Sequence, residues 1–394
     1  MIVMIFLLVL LSFTLMVYSY LIFPLVMKNL SNKTSLNFNQ SFFPKVAVIM
    51  SAYQEEFIIR EKLKSLKEQN YPKDLLTFWI ASDGSVDRTN QIIQEECKNL
   101  FNSQVFIFNS RRGKPTVIND LVSKAKAFYN DTDFIIVLTD ANVIFKFDLV
   151  SILVQPFILP DISLVDSKIE PLHKVSKGIS ISENFYLNRE TLLKQNEGKW
   201  KGFSMGASGG CYAIRSNDYV PVPKDFLVDD FFISFNILLK GKKAILHPLA
   251  ICYEEVSSSI STEFKRRRRI SAGNFQNLVY FLPFFSMKQW SLWFVFFSHK
   301  IIRWFVPLCL IISFLSLFYI GFYQVIVLFI MLILTLFIGL VFVFDKLFEN
   351  INIHLPFLRG VRYFIVINAA LLMGCFDFLK GIKNNVWEPT KRNQ

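Results

Sequence analysis

Three acidic stations stand out by residue type and spacing: Ser82-Asp83-Gly84-Ser85, Thr139-Asp140-Ala141-Asn142 and the adjacent pair Asp229-Asp230. The first two follow apolar, β-prone runs, Leu76 to Ala81 and Phe134 to Leu138, so each carboxylate is expected at the carboxyl end of a buried strand. That is where open α/β sheets bind their ligands. Adjacent carboxylates repel each other, which raises the proton affinity of one towards the range useful for accepting a proton. Between the stations lies Arg111-Arg112-Gly113-Lys114, in which a glycine lets the backbone approach a phosphate and a lysine supplies a point charge. Each feature alone has a plainer reading: a turn with a capping aspartate, a solvated basic loop, a helix start decorated with acids. Their order along one chain is what points to a shared site.

The elements that must position these groups follow from periodicity. A strand is expected at Val46 to Met50, a helix over Glu55 to Gln69, a strand at Leu76 to Ala81, a helix over Asp87 to Lys98, a strand at Val105 to Phe108, a helix over Pro115 to Phe128 and a strand at Phe134 to Leu138. Strict alternation of this kind predicts a doubly wound α/β sheet. The second half is less regular. Ser163 to Glu170 reads as a strand, Ile181 to Gln195 as a helix, Gly206 to Gly210 as a glycine-rich turn and Phe231 to Lys240 as a helix, which together predict a mixed sheet accepting a second substrate.

The chain is too apolar for a soluble globule. Of 394 residues 53% are hydrophobic, against about 45 to 50% in soluble domains, and the excess lies at the two ends. Met1 to Met27 carries no charge and is long enough to cross a bilayer; the missing basic leader and the absent small-x-small site favour an anchor over a cleaved signal. Ile301 to Tyr319, Val325 to Phe344 and Tyr363 to Phe378 (with Asn368) are further candidate spans. Asn274 to Trp290 has apolar residues near helical spacing and should lie in the headgroup plane, broken at Pro283, with Trp290, Trp293 and Trp304 marking the membrane boundary. The net charge of +12 clusters at Lys28, Lys33, Lys45 and Lys265 to Arg269, which places the polar region in the cytoplasm against anionic lipid and makes nucleic acid an improbable partner. Three crossings after a cytoplasmic domain would leave the tail outside, yet it carries Lys380, Lys383, Lys391 and Arg392. Either one segment is re-entrant or the charge rule fails there. Five scattered cysteines suggest neither a disulfide framework nor a zinc site.

Ser51-Ala52-Tyr53-Gln54-Glu55 after the first strand, with Ser82-Asp83-Gly84-Ser85-Val86-Asp87-Arg88-Thr89 a strand later, resembles the nucleotide-binding half of glycosyltransferase family 2. The membrane-bound polysaccharide synthases of the cellulose, hyaluronan and poly-N-acetylglucosamine type are the branch it looks most like. The resemblance implies a GT-A fold, α/β with a Rossmann-like doubly wound, mixed sheet, as a cytoplasmic domain beside α-helical transmembrane segments. It divides the chain into an anchor (1–27), a linker (28–43), a GT-A domain (44–260), a basic and amphipathic interfacial region (261–298), about three transmembrane helices (299–380) and a basic tail (381–394). By the same resemblance Tyr53, Glu55 and Asp83 hold the base and ribose of a UDP-sugar, and Lys114 reaches the nucleotide. Asp140 and Asn142 stand where the family holds a divalent metal, Mg2+ or Mn2+, on the diphosphate, although Asn142 brings one charge fewer than the stricter motif. The Asp229-Asp230 pair matches the family's catalytic base, with Asp230 as the base itself, and Gly209 and Gly210 fall in the acceptor-side segment, which also reads as a bare turn.

Arg269 aligns with the arginine of the synthases' Gln-x-x-Arg-Trp, a candidate for holding the diphosphate. Arg266 replaces the glutamine and Ile270 the tryptophan, a departure that weighs against processive synthesis. The expected activity is inverting, metal-dependent transfer from a UDP-sugar to a growing glycan at the inner membrane, in surface or exopolysaccharide synthesis; the alternative is addition of a single sugar to a lipid-linked acceptor. A nicotinamide-dependent reductase would share the sheet but lacks a Gly-x-Gly-x-x-Gly turn after the first strand, and a non-catalytic scaffold leaves the acidic stations unexplained.

Overall fold

Val46, Val48 and Met50 pack into one apolar cluster while Ala47 and Ile49 pack into another, so the first strand is buried on both faces by the two-residue alternation of its side chains. The computed structural model describes residues 2–31, 42–130, 132–172, 180–255, 259–350 and 355–382. Most of the expected linker, with Lys33, and most of the tail, with Lys383, Lys391 and Arg392, lie outside the described residues.

Eight strands form one sheet: β1 (Val46–Ala52), β2 (Leu76–Asp83), β3 (Ser103–Phe108), β4 (Ile135–Asp140), β5 (Val143–Phe145), β6 (Ile162–Pro171), β7 (Cys211–Arg215) and β8 (Lys243–Glu254), in the order β3-β2-β1-β4-β7-β6-β8-β5. β3, β2, β1 and β4 are parallel and joined by the helices Ile59–Lys67, Thr89–Cys97 and Lys114–Phe128. The chain steps outward from β1 to β3, then returns to lay β4 on the other side of β1. This reversal opens a crevice at the carboxyl ends of β1 and β4, where Ser51 and Asp140 are in register. β7 pairs antiparallel with β4 and β6, and β8 runs parallel to β6, so the sheet is mixed.

Three strands were not anticipated. β7 begins directly after the glycine-rich turn, and β5 and β8 pair with each other across more than a hundred residues of sequence. The basic run is a second correction. Lys265 to Arg269 belong to a continuous helix, Ile260–Phe281, rather than preceding a helix that starts at Asn274; Pro283 then sits in the short turn Leu282–Phe284.

Among the described residues four helical stretches are long and apolar enough to cross a membrane: Ile2–Ser31, Met287–Gly321, Val325–Asp345 and Phe357–Leu379. The second of these begins well before the expected boundary at residue 299. The first two each contain a π-helical turn, Tyr18–Ile22 and Phe297–Ile301, and these turns meet: the Tyr18 hydroxyl lies 2.8 Å from Ser298 Oγ, and Ser19 Oγ donates to the Ser298 carbonyl.

Next to this contact the apolar helices are fastened to the α/β domain by charge. Glu190, on the Ser180–Lys201 helix, receives His299 Nε2 at 2.8 Å, Lys300 at 2.6 Å and Arg303 at 3.0 Å. His299 is fully buried, and its other ring nitrogen lies 2.7 Å from Glu197. Burial alone would raise the Glu190 carboxyl; His299, Lys300 and Arg303 reverse that and hold it well below the usual carboxylate range. Removing one partner of such a buried cluster strands the others. Glu190→Ala is therefore expected to cost about 3 kcal/mol of stability, read as a lower unfolding midpoint in detergent. An unchanged midpoint would show that the cluster does not fasten the helices to the domain.

Candidate active site

The β1–β4 crevice gathers what the chain scatters. Tyr53 leaves the end of β1, Asp83 ends β2 and Asp140 ends β4, all at one edge of the sheet. Asp83, 3% exposed, accepts the backbone amides of Arg112 at 2.7 Å and Gly113 at 2.9 Å, so it fixes the 111–114 loop over the crevice. Gly84 makes that approach possible: at φ +72 it occupies left-handed space, and a Cβ there would stand 2.7 Å from the Arg111 nitrogen. The Arg111 guanidinium lies over the Tyr53 ring, 3.7 Å from its centre. Glu55 starts the Ile59–Lys67 helix: its carbonyl receives the Ile58 and Ile59 amides, and its own amide donates to Thr89 Oγ1.

Lys114 is the meeting point. Its ammonium lies 2.8 Å from Asp140 and 3.3 Å from Asp229, joining the loop, the β4 end and the start of the Asp229–Leu239 helix. Burial works against this charge, but Asp140 and Asp229 outweigh it and hold Lys114 above the ordinary lysine value. Asp230 is pushed the other way. Burial first, then repulsion from Asp229, raise its carboxyl to about 6, with Lys114 and the Phe231 amide opposing.

Gly209 and Gly210 tie the two acidic stations together. A Cβ on Gly209 would stand 2.5 Å from Asp230 Oδ2, so only glycine permits that contact. The Gly210 carbonyl receives the Asp140 amide at 3.0 Å and Thr139 Oγ1 at 3.1 Å. Asn142 donates to Glu254 at 3.1 Å, and Arg266 lies 3.9 Å from the same carboxylate. Arg269 is half-buried and crowded by Arg266, which lowers its proton affinity, while Asp229, Asp140 and Asp230 offset this; the guanidinium stays charged beside the crevice.

Two supporting groups escaped the sequence reading. Lys62 is fully buried and donates to Thr139 Oγ1 at 2.8 Å and the Val143 carbonyl at 2.5 Å, bracketing the Asp140-Ala141-Asn142 turn from below. The signal was present: Lys62 falls in the apolar stripe of Ile59, Leu63 and Leu66, where a lysine is out of place. Asp166 accepts Lys194 at 2.8 Å and both the amide and the hydroxyl of Ser208, which anchors the turn before Gly209. Its mark in the sequence was weak, because Lys168 and Glu170 also put charge into the strand Ile162–Pro171.

Among the described residues no group of three or more His, Cys, Asp or Glu side chains forms a metal cage. The donors present still suit a hard divalent cation. Mg2+-like ions are commonly held by one or two carboxylates plus substrate phosphates, and Asp140, at the end of β4, carries a carboxylate and Asn142, two residues on, an amide oxygen.

Sequence and structure comparisons bear on the family and the fold. The pattern of the family described as Glycosyl transferase family 2 matches residues 47–219, and that of Glycosyl transferase family group 2 matches 198–344. The probable glycosyltransferase YdaM of Bacillus subtilis is 25% identical over 299 residues, 71% of this chain and 68% of its own length. The poly-beta-1,6-N-acetyl-D-glucosamine synthase of Staphylococcus aureus is 22% identical over 256 residues, 64% of this chain and 59% of the synthase. The mannosyltransferase PcManGT from Pyrobaculum calidifontis, solved in complex with GDP-Man and Mn2+, shares the fold: its TM-score is 0.65 at 18% identity, covering 94% of this chain and 99% of that one.

Lys62 offers a test of the support beneath the crevice. Burial pushes its ammonium down to about 7 from an ordinary 10.5, with Cys211, Cys252 and Asp140 opposing. The folded value lies below the unfolded one, so between about pH 7 and 10 the unfolded chain binds more protons and stability rises with pH. Lys62→Met should remove that rise. The difference in stability between wild type and variant should change by at most about 4 to 5 kcal/mol across the window, and a pH-independent difference would show that Lys62 is not held in this low-dielectric position.

Proposed function

Given that the chain belongs to glycosyltransferase family 2, we propose that it is an inverting, metal-dependent enzyme that moves a sugar from a UDP-sugar to a growing glycan at the cytoplasmic membrane, with the catalytic domain in the cytoplasm. The observation that carries this is the convergence on Lys114 of Asp140 from β4 and Asp229 from the acidic pair, with Asp230 beside them. A nucleotide diphosphate in the crevice would meet the ammonium of Lys114 and the guanidinium of Arg269, while Tyr53, Glu55 and Asp83 border the space for base and ribose.

Asp230 takes the proton from an acceptor hydroxyl. The hydroxyl oxygen attacks the anomeric carbon from the face opposite the diphosphate, the glycosidic bond to UDP breaks with its electron pair leaving on the phosphate, and the configuration inverts. Lys114 and Arg269 stabilise the charge that grows on the leaving group. Asp140 and Asn142 would hold a divalent cation, which when bound neutralises the diphosphate. The missing side chain of Gly209 lets Asp230 stand against the turn on the acceptor side.

A second reading, addition of one sugar to a lipid-linked acceptor, is favoured by Ile270 in place of the synthases' tryptophan and by Arg266 turned towards Glu254. Product length separates the two: a ladder of polymers supports the synthase, a one-sugar product the rival.

Purified protein in detergent is expected to release UDP from one of a panel of UDP-sugars when Mg2+ or Mn2+ is added, and Asp140→Ala to lose at least a hundredfold of that turnover. Release from GDP-sugars instead would overturn the donor assignment, and turnover untouched in Asp230→Asn would remove the proposed base. The pH profile carries a separate expectation. Asp230 must be ionised to act, so kcat/KM should rise with pH through an apparent pKa of about 6. Asp229→Asn removes the like charge and should move this acid limb to lower pH; an unmoved limb would assign the base elsewhere.

A further inference from the structure

The Pro356–Leu379 helix has the length and hydropathy of a membrane span, yet both of its ends are fastened on the side of the α/β domain. Depth can be read along the neighbouring helices. Ile302–Gly321 starts at the Glu190 cluster and runs about 30 Å away from the domain before the chain turns at Phe322 to Gln324. Val325–Asn350 brings it back. Asp345 lies about twenty residues into that return, which at 1.5 Å per residue restores the depth of Ile302. There Asp345 receives Arg362 at 2.5 Å and Arg359 at 3.6 Å, in surroundings that leave Asp345 and Arg359 almost fully buried. The beginning of the Pro356–Leu379 helix is thus at domain level.

Its other end is at the same level. Asp377 accepts two hydrogen bonds from Arg268, Phe378 stacks on Phe275, and Phe275 meets the edge of Phe305, one turn from Ile302. Gly374 lies so close to the Ile260–Phe281 helix that a Cβ would stand 2.2 Å from the Arg268 carbonyl. That helix in turn rests on the domain, where a Cβ on Gly273 would stand 2.5 Å from the Val228 side chain. Arg362 and Phe378 are separated by about 24 Å of helix, most of a hydrocarbon core of about 30 Å. A crossing helix would carry Asp377 to the far side, out of reach of Arg268.

We infer that Pro356–Leu379 does not cross the membrane but lies in the plane of the leaflet that faces the catalytic domain, side by side with Ile260–Phe281, and that Lys380, directly after it, stands on the catalytic side. The inference rests on the membrane reading proposed above. The occupant of its outer face is lipid. Phe357, Phe364, Phe376 and Leu379 are exposed and fall on one side of the helix, while Arg359, Arg362 and Asp377 turn to protein partners. Its hydropathy, 1.6, is the lowest of the four candidate spans, as suits a helix apolar on one side only. Three candidate crossings then remain among the described residues, and Lys380 stands where a basic residue is favoured.

The test uses the full chain in sealed membrane vesicles of known orientation, with Cys309 and Cys375 replaced by alanine and single cysteines placed by Lys73→Cys, Gln324→Cys and Lys380→Cys. A membrane-impermeant maleimide should label Lys380→Cys from the same face as Lys73→Cys and from the face opposite to Gln324→Cys. Labelling of Lys380→Cys together with Gln324→Cys would overturn the inference. Labelling of Lys73→Cys and Gln324→Cys from one face would overturn the membrane reading itself and the inference with it. Spin labels at Phe357→Cys, Phe364→Cys, Phe376→Cys and Leu379→Cys give a second measurement: equal immersion depth is expected, and a steady gradient along the helix would overturn the inference.

Discussion

Carboxylates in a partly buried crevice repel each other by an amount that can undo local structure, and Asp140 from a strand end and Asp229 and Asp230 from a helix start are brought into one crevice by two separate elements. Lys114 makes that arrangement tenable. It is the first residue of its helix, where the dipole disfavours a cation, and it follows Gly113 at φ +87. Neither choice suits an ordinary helix start. Both are explained by the need to deliver a positive charge between Asp140 and Asp229, and Asp83 serves the same end by holding the loop amides that aim it.

How much of this can be read in the sequence depends on how local the cause is. The β1-to-β4 half was legible because each strand and helix carries its own period and its own turn residues. β5, β7 and β8 were not, because antiparallel partners distant in sequence decide whether such short apolar runs become strands. The first two acidic stations were legible as strand-end residues, whereas the meeting of Asp140 and Asp229 at Lys114 is a fact of three dimensions. Lys62 and Asp166 mark the boundary case: each breaks the apolar pattern of its element, and only the structure shows what the breach is for.

The domain and the apolar helices are joined by groups that could not stand alone. Glu190 has a low proton affinity only because His299, Lys300 and Arg303 come to it from a helix of the other layer. On the opposite flank, Arg268 and Asp377 join two helices whose backbones touch at Gly374. Ion pairs and a missing side chain thus set the relative position of the layers where apolar contact alone would allow sliding.

The paired π turns have a consequence for how the two long helices are phased. A π turn carries one residue more than an α turn, so every side chain beyond it is rotated by about a hundred degrees relative to an uninterrupted helix. Ile2–Val17 and Ile302–Gly321 lie on the apolar side of their π turns, and Phe23–Ser31 and Trp290–Phe296 on the side of the domain. In each helix the stripe that meets its membrane neighbour and the stripe that meets the α/β layer are therefore set independently. Ser19 Oγ and the Arg303 guanidinium bond to the Ser298 and Ser19 carbonyls at the wide turns. The break in phase is thus locked in both helices at one level, and a single insertion or deletion in either would put one layer out of register with the other.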